Sequence, residues 1–119
     1  MKLLVGNIFP TSLVRRPVRI DPISLYQAEH YMETSEIYSF WGHANTLNTV
    51  NKKFGFDLTP KTDRPAVTLD INGTPVLHGE RFEKVLVISP DYRPGFRPAI
   101  GVEVGEEDIV GWQCLLVSF

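Results

Sequence analysis

Short apolar segments separated by turn-forming residues make up most of the chain, and two longer stretches have the periodicity of helices. The first apolar segment, Lys2–Val5, stops at Gly6-Asn7 and predicts a short buried strand that ends in a turn. The continuous apolar segment Lys84–Ser89 predicts a central strand, because such a run is buried on both faces of a sheet. Further strands are predicted over 18–20, 36–41, 66–71, 74–78 and 112–119.

The two helical stretches cover about residues 22–32 and 44–54. Asp21-Pro22 is a favourable start for the first, because an aspartate oxygen accepts from free N–H groups and proline fits the first turn. Gly55 is placed to end the second. The apolar stripes are Leu25, Ala28 and Met32 in the first, and Leu47, Val50 and Phe54 in the second. Five to seven strands with two helices predict a single α+β domain over residues 1–119.

Turn-forming residues divide the second half of the chain. Asn72-Gly73 predicts a hairpin, because both residues tolerate a positive φ. Its return arm, residues 74–78, starts with Thr-Pro and is predicted to be an edge strand. Residues 90–98 contain three prolines and one glycine and are predicted to form a loop.

Composition excludes several classes of function. The formal charge of −2 argues against binding of duplex DNA by a broad basic face, since that binding relies on neutralising many phosphates. It leaves room for a small anionic ligand held by a few local donors. The apolar runs are too short to cross a bilayer, and the N-terminus does not have the pattern of a signal peptide. A single cysteine, Cys114, favours a reducing, cytoplasmic location, with the thiol an inert core group.

His43 stands between a predicted strand and the start of a predicted helix. Unpaired N–H groups and the helix dipole favour a phosphate at such a place. An imidazole there can donate a proton to the leaving oxygen of a phosphodiester. The alternative is that His43 caps or packs against the helix start. Histidine and cysteine spacing gives no zinc site, so we predict neither a metal nor a cofactor.

The loop that follows residue 90 carries Arg93 and Arg97, separated by Pro-Gly-Phe. Two guanidinium groups suit phosphates, and Phe96 or Tyr92 can stack on a base. The alternative is a proline-stiffened surface loop with solvated charges. Arg15-Arg16 has the same two interpretations. Asn7 follows the first strand, where polar side chains often face a ligand, although such a residue can also simply close a turn.

Several segments occur in one order along the chain: Leu4-Val5-Gly6-Asn7-Ile8-Phe9, Pro22-Ile23-Ser24-Leu25 with Ala28, Phe40-Trp41-Gly42-His43, and an apolar strand before a Pro-Gly loop. In this order and spacing the chain resembles the viral ring nucleases, anti-CRISPR proteins that act against type III systems. The similarity extends over most of the chain and is clearest over about residues 3–56. The motifs are short, and their order carries the resemblance.

The resemblance implies a homodimer around a mixed β-sheet flanked by helices. It also implies a cleft across the two-fold axis that binds cyclic tetra-adenylate, cut without metal by attack of a ribose 2′-hydroxyl. His43 stands at the position of the family's histidine and would be the general acid. The ligand-binding positions that we assign are Asn7, Thr11, Ser12, Gly42, Arg93 and Arg97.

The chain departs from the family in the late loop. The family has an arginine followed by a glutamate just before the loop's glycine. Here Arg93 can stand for the arginine, but Pro94 precedes Gly95, so the glutamate is absent. The missing glutamate bears on turnover more than on binding, and Glu80 and Asp91 are the alternatives for its role.

Two other classes of function stay open from the sequence. One is a non-catalytic viral protein that sequesters the nucleotide or binds a host protein, with anchors at Tyr92, Phe96 and Trp112. The other is an RNA-binding module with aromatic platforms, which the low positive charge disfavours.

Overall fold

The computed structural model describes residues 2–6, 9, 14–39, 44–55, 67–97 and 105–119. In this part of the chain there are two helices, α1 (Leu25–Thr34) and α2 (Ala44–Phe54), and a 3₁₀ helix over Glu106–Asp108. The strands are β1 (Lys2–Gly6), β2 (Arg19–Ile23), β3 (Glu36–Ser39), β4 (Thr68–Leu69), β5 (Pro75–Leu77), β6 (Glu80–Arg81), β7 (Lys84–Tyr92) and β8 (Ile109–Ser118). The predicted α+β class is confirmed.

The described strands form two sheets. The larger is a mixed sheet of five strands in the order β2-β8-β7-β1-β3. β1 is parallel to both β3 and β7, whereas β8 is antiparallel to β7 and to β2. The smaller sheet is an antiparallel meander of β4, β5 and β6. The apolar run at Lys84–Ser89 therefore is the central strand that its composition predicts.

The helices cover one face of the five-stranded sheet. Alternate residues of the central strands point to this face, among them Leu3 and Val5 of β1 and Leu86 and Ile88 of β7. They pack against the helical stripes, in which the buried residues are Ala28, Met32 and Val50. This cluster, with Leu25 and Phe54 packed against it, confirms the predicted face of α1 and the Val50 and Phe54 positions of α2. The side chain of Leu47 lies outside the described residues.

The three-stranded sheet lies against the other face of the five-stranded sheet. Leu4, Val85, Val87 and Val117 point to this side and pack against Leu77 and Phe82. The ring of Phe82 also meets that of Tyr38 edge-to-face, at 5.2 Å between centroids. The domain thus has three layers, with the five-stranded sheet in the middle and a core on each of its faces.

The start of the first helix differs from the prediction. Asp21 and Pro22 lie in β2, opposite Leu116 and Leu115 of β8, and α1 starts after Ser24. Ser24 Oγ accepts from Gln27 N at 3.1 Å, and Ser24 N donates to Gln27 Oε1 at 2.9 Å. This capping box satisfies the free N–H groups of the helix start better than Asp21 can. An edge strand such as β2 tolerates the proline.

The predicted hairpin at Asn72-Gly73 forms with a longer turn than the dipeptide suggests. Gly73 N donates to Asp70 O at 3.1 Å, Asp70 N donates to Thr74 O at 2.9 Å, and of the dipeptide Gly73 alone has a positive φ, +79°. This is a three-residue loop closed by a glycine bulge. The return strand β5 is the middle strand of its sheet, so the edge-strand prediction is wrong. β5 tolerates its proline because Pro75 is the first residue of the strand.

A second hairpin joins β5 to β6 through His78-Gly79. Leu77 is opposite Glu80, and both turn residues have positive φ, +51° at His78 and +77° at Gly79. Two positive φ values in a two-residue loop are typical of a type I′ turn, the geometry that follows the twist of paired strands. This tight turn folds β6 back and places Phe82 under the five-stranded sheet.

The last two strands are longer than predicted. β7 continues through Pro90 and Asp91 to Tyr92, and β8 starts at Ile109, so residues 90–92 are strand rather than loop. The pairing of β7 with β1 ends at Val87, so β7 is paired on one side when it reaches Pro90. A proline is tolerated where a strand has an unpaired side.

We expect the substitution Phe82→Ala to lower the free energy of unfolding by about 3–5 kcal/mol, since it removes a fully buried ring and leaves a cavity. Denaturant unfolding followed by circular dichroism measures this change. Ile71→Ala, at a fully exposed position, is the matched control and should change stability by less than about 0.5 kcal/mol. Equal midpoints for the two variants would contradict a second core beneath the sheet.

Candidate functional site

The parallel strands β1 and β3 end at the same edge of the five-stranded sheet. Val5 is opposite Ser39, the last residue of β3, and Gly6 ends β1 one residue later. On its other side Gly6 is opposite Val87 of the parallel strand β7. We call this the carboxyl edge. Carboxyl ends of adjacent parallel strands are a common place for ligands in α/β sheets.

The segments that carry most of the predicted site residues continue from this edge. Asn7 follows Gly6 directly, and residues 40–43 connect Ser39 to Ala44, the first residue of α2. Ala44 is the fifth residue after Ser39, which limits the distance between their Cα atoms to about 17 Å, so α2 starts within that distance of the carboxyl edge. The side chains of Asn7, Thr11, Ser12, Gly42 and His43 lie outside the described residues.

Beyond the carboxyl edge β7 and β8 continue as a two-stranded ribbon, residues 89–92 paired with 109–113. The pairing of β8 with β2 reaches no further than Cys114. Pairing shifts register between Asp91 and Tyr92, and Val110 bulges out on the opposite strand with 66% of its surface exposed. Arg93 is the sixth residue after Val87, so the ribbon carries it about 20 Å beyond the level of Gly6.

The residues after the ribbon form a tight turn. Phe96 N donates to Arg93 O at 3.0 Å, and Gly95 has φ +80°. Proline at the second turn position and glycine at the third are typical of a type II turn. Pro94 therefore has a structural role where the resembling family has its glutamate. The loop prediction is correct from Arg93 to Arg97.

Arg93 is held within the chain. Its backbone N donates to Asp108 O at 2.9 Å, and its Nε donates to Asp108 Oδ1 at 3.0 Å. Its guanidinium carbon lies 4.9 Å from the centre of the Phe96 ring, which suits a cation–π contact. The ion pair with Asp108 engages the guanidinium through Nε, one of its three nitrogens. Both Arg93 and Arg97 are exposed.

Asp108 is the partner that the sequence did not reveal. Asp108 ends the 3₁₀ helix Glu106–Asp108, and its side chain is only 16% exposed and is paired with Arg93. The two residues are 15 positions apart, on the two arms of the ribbon. A single sequence carries no local signal for such a pair.

The aromatic residues of the ribbon pack within the chain. The Tyr92 and Phe96 rings lie 5.5 Å apart, and burial raises the pKa of the Tyr92 hydroxyl, which stays protonated at neutral pH. Trp112 meets Phe54 of α2 edge-to-face at 6.0 Å. All three proposed interface anchors, Tyr92, Phe96 and Trp112, are thus partly covered by neighbours in the same chain.

One carboxylate considered as a substitute for the missing glutamate lies at the wrong end of the sheet. Glu80 accepts a hydrogen bond from Lys2, the first residue of β1, and is thus far from the carboxyl edge. Asp91 is on the ribbon, two residues before Arg93, with its side chain exposed opposite Gly111. Asp91 is therefore the better placed of the two.

In fold the chain is similar to B116 of Sulfolobus turreted icosahedral virus. The two structures superpose with a TM-score of 0.61 at 18% sequence identity, and the match covers 100% of both chains. No family model and no curated protein matches the sequence. At this identity the similarity establishes a shared fold over the whole length, and activity is a separate question.

Cys114 lies in the core beneath the helices. It is 3% exposed, and burial raises the pKa of its thiol to about 11. A thiol with so high a pKa is almost fully protonated at neutral pH and is a poor nucleophile. In the described part of the chain no group of three metal-ligating side chains comes together, and no helix is long and apolar enough to cross a membrane.

We expect iodoacetamide to modify Cys114 slowly in the native protein, because the thiol is buried and its pKa is raised. Mass spectrometry of samples quenched over time measures the rate at pH 8. Unfolding in urea exposes the thiol and should restore the rate of a free cysteine. Equal rates in the native and unfolded protein would contradict the buried position.

Proposed function

We propose that this protein is a dimeric, metal-independent phosphodiesterase that binds cyclic tetra-adenylate and opens the ring, with His43 as general acid. The proposal includes a viral origin and a role in countering type III CRISPR signalling, since destroying this second messenger would silence the nucleases that it activates. It rests on the resemblance of the sequence to viral ring nucleases and on the fold shared with a protein of an archaeal virus.

One observation carries the proposal: the segments that hold the predicted site residues all lie at the carboxyl edge of the sheet or beyond it. The ends of β1 and β3 are adjacent, and β7 runs past them in the same direction toward Arg93 and Arg97. These segments are separated by 30 or more residues along the chain, so the sequence alone did not require them to meet. Their common edge supports one site composed of His43, Asn7, Thr11, Ser12, Gly42 and the two arginines.

A two-fold dimer suits the ligand. A ring of four identical nucleotides has its own two-fold symmetry, so each subunit can present the same groups to half of it. The whole chain carries a formal charge of −2, so the four phosphates need positive potential concentrated at the site. Arg93 and Arg97 of each subunit, with the amide groups at the start of α2, are the groups to supply it.

The chemistry needs no metal. The ribose 2′-oxygen attacks the adjacent phosphorus, the bond from phosphorus to the 5′-oxygen breaks, and a 2′,3′-cyclic phosphate forms. The His43 imidazolium gives its proton to the leaving 5′-oxygen, and the 2′-hydroxyl proton passes to solvent. Binding fixes the attacking and leaving oxygens in line, which supplies much of the acceleration.

A second candidate is sequestration of the ring without cleavage. Two observations favour it: Pro94 takes the place of the family's glutamate in a type II turn, and Glu80 is bonded to Lys2 at the far end of β1. A protein that keeps its phosphate-binding arginines but lacks one catalytic carboxylate would hold the messenger and turn it over slowly.

Incubation with radiolabelled cyclic tetra-adenylate in EDTA tests the proposal. We expect the wild type to yield linear products that end in a 2′,3′-cyclic phosphate. We expect His43→Ala to bind the ring and to cleave it on the order of 100-fold more slowly, because the leaving oxygen loses its proton donor. Thin-layer chromatography measures cleavage, and filter binding measures affinity.

His30→Ala is the matched control, since His30 is an exposed histidine on α1, and this variant should cleave like the wild type. Binding by both wild type and His43→Ala with cleavage by neither would leave the sequestering function. Absence of binding by either protein would refute both candidates.

A further inference from the structure

A groove of about 830 Å³ lies at the opposite end of the sheet from the carboxyl edge. Among its lining residues are Lys2, the first residue of β1, and Phe119, which follows β8 and whose N–H bonds to Glu83 just before β7. We call it the amino-edge groove. Arg16, Arg81, Asn72 and Thr74 complete the described lining. Its size is in the range of small-molecule sites.

Two cations of the groove are held in position by carboxylates. Lys2 Nζ donates to Glu80, and Arg81 Nη2 lies 2.7 Å from Asp70 Oδ2. Asp70 is itself fixed, since its Oδ1 accepts from Thr74 N and Asn72 N, each at 2.9 Å. These backbone hydrogen bonds, with Arg81, hold the pKa of Asp70 below its usual value, so the pair stays charged at neutral pH. Arg81 keeps N–H donors that the pair does not use.

Arg16 supplies positive charge that no carboxylate offsets among the described residues. Its side chain rests on the β4–β5 hairpin, because a Cβ added to Gly73 would lie 3.5 Å from Arg16 Cγ and 3.5 Å from Arg15 Cβ. Arg15 lines an adjoining groove of about 630 Å³ on the same hairpin. Two neighbouring arginines thus flank the hairpin, with their aliphatic parts packed and their exposed ends reaching solvent.

The other lining side chains suit the rest of a nucleotide. Phe119, whose ring meets that of Phe9 edge-to-face at 5.8 Å and is only partly buried, lines the groove with an aromatic surface for a base. Asn72 and Thr74 carry polar groups that both donate and accept hydrogen bonds. The Glu83 carboxylate can accept from an amino group of a base but would repel a phosphate. Guanidinium groups, an aromatic ring and a carboxylate in one groove match a ligand that has a phosphate at one end and an amino-bearing base at the other.

We propose that the amino-edge groove binds a nucleoside monophosphate whose base carries an amino group, with Arg16 and Arg81 on the phosphate. This site is separate from the proposed ring-cleaving site. Lys2 and Gly6 are at opposite ends of β1, and Arg93 lies beyond Gly6. Failure of either proposal leaves the other unaffected.

Titration of ¹⁵N-labelled protein with adenosine 5′-monophosphate, followed by amide NMR shifts, tests the groove. We expect saturable shifts at Asn72, Gly73 and Thr74, whose amides lie in or beside it. Arg16→Ala should weaken binding by about tenfold or more, because it removes a charged donor to phosphate. Arg16 is exposed and unpaired with any described carboxylate, so this variant should keep its fold.

Glu83→Gln should tighten binding roughly two- to fivefold, because it removes a negative charge but keeps an acceptor oxygen. A folding defect would weaken binding instead, so this variant separates the two explanations. Lys53→Ala, which removes an exposed positive charge from the last turn of α2, is the control and should bind like the wild type. His43→Ala should also bind like the wild type, whatever its effect on ring cleavage.

Three results would overturn the proposal. The first is that shifts are absent or map to residues 88–97 at the other end of the sheet. The second is that Arg16→Ala binds as tightly as the wild type. The third is that inorganic phosphate or adenosine alone causes the same shifts with the same affinity, since the proposal requires both ends of the nucleotide.

Discussion

The burial of β7 on both faces and its pairing on both sides is the constraint on which the rest of the structure depends. Leu86 and Ile88 pack under the helices, whereas Val85 and Val87 pack on the three-stranded sheet. β7 also joins the parallel part of the sheet, through β1, to the antiparallel part, through β8. A shift of one residue in the register of β7 would move the side chains of each face to the opposite side of the sheet and so disrupt the packing of both cores. The direction of this strand also decides what each end of the sheet can do.

That direction gives the two ends of the sheet different chemistry. Because β1, β3 and β7 are parallel, their carboxyl ends collect segments that are distant in sequence, and β7 runs on into the ribbon with Arg93. Lys2 and the residues around the β4–β5 hairpin lie at the amino ends of these strands. There Glu80 is paired with Lys2, and Asp70 is paired with Arg81. Both proposals place an anion on an acidic chain, which requires the local charge of each site to matter more than the net charge.

The elements that sequence reasoning located correctly are those set by neighbouring residues. The stripes of α1 and α2, the glycine end of α2 and the apolar run of β7 are of this kind. The errors occur where a distant partner decides. Asp21-Pro22 has the pattern of a helix start but pairs with β8, and Pro90 has the pattern of a loop but lies in a strand whose other side is free. At Asn72-Gly73 the site of the turn was correct, and the longer turn is stabilised locally, because Asp70 accepts from Asn72 N and Thr74 N.

By itself the sequence determined the class of fold, the two helices and the central strand, because periodicity and capping act over a few residues. It also singled out Arg93 and Arg97 as chemically notable. Only the tertiary structure decided that Asp108 binds Arg93 and that β1 and β3 end at the same edge of the sheet. It also decided that Lys2, Arg16 and Arg81 line one groove. These outcomes depend on which strands become neighbours, and that is settled by burying both faces of the sheet at once rather than by any local pattern.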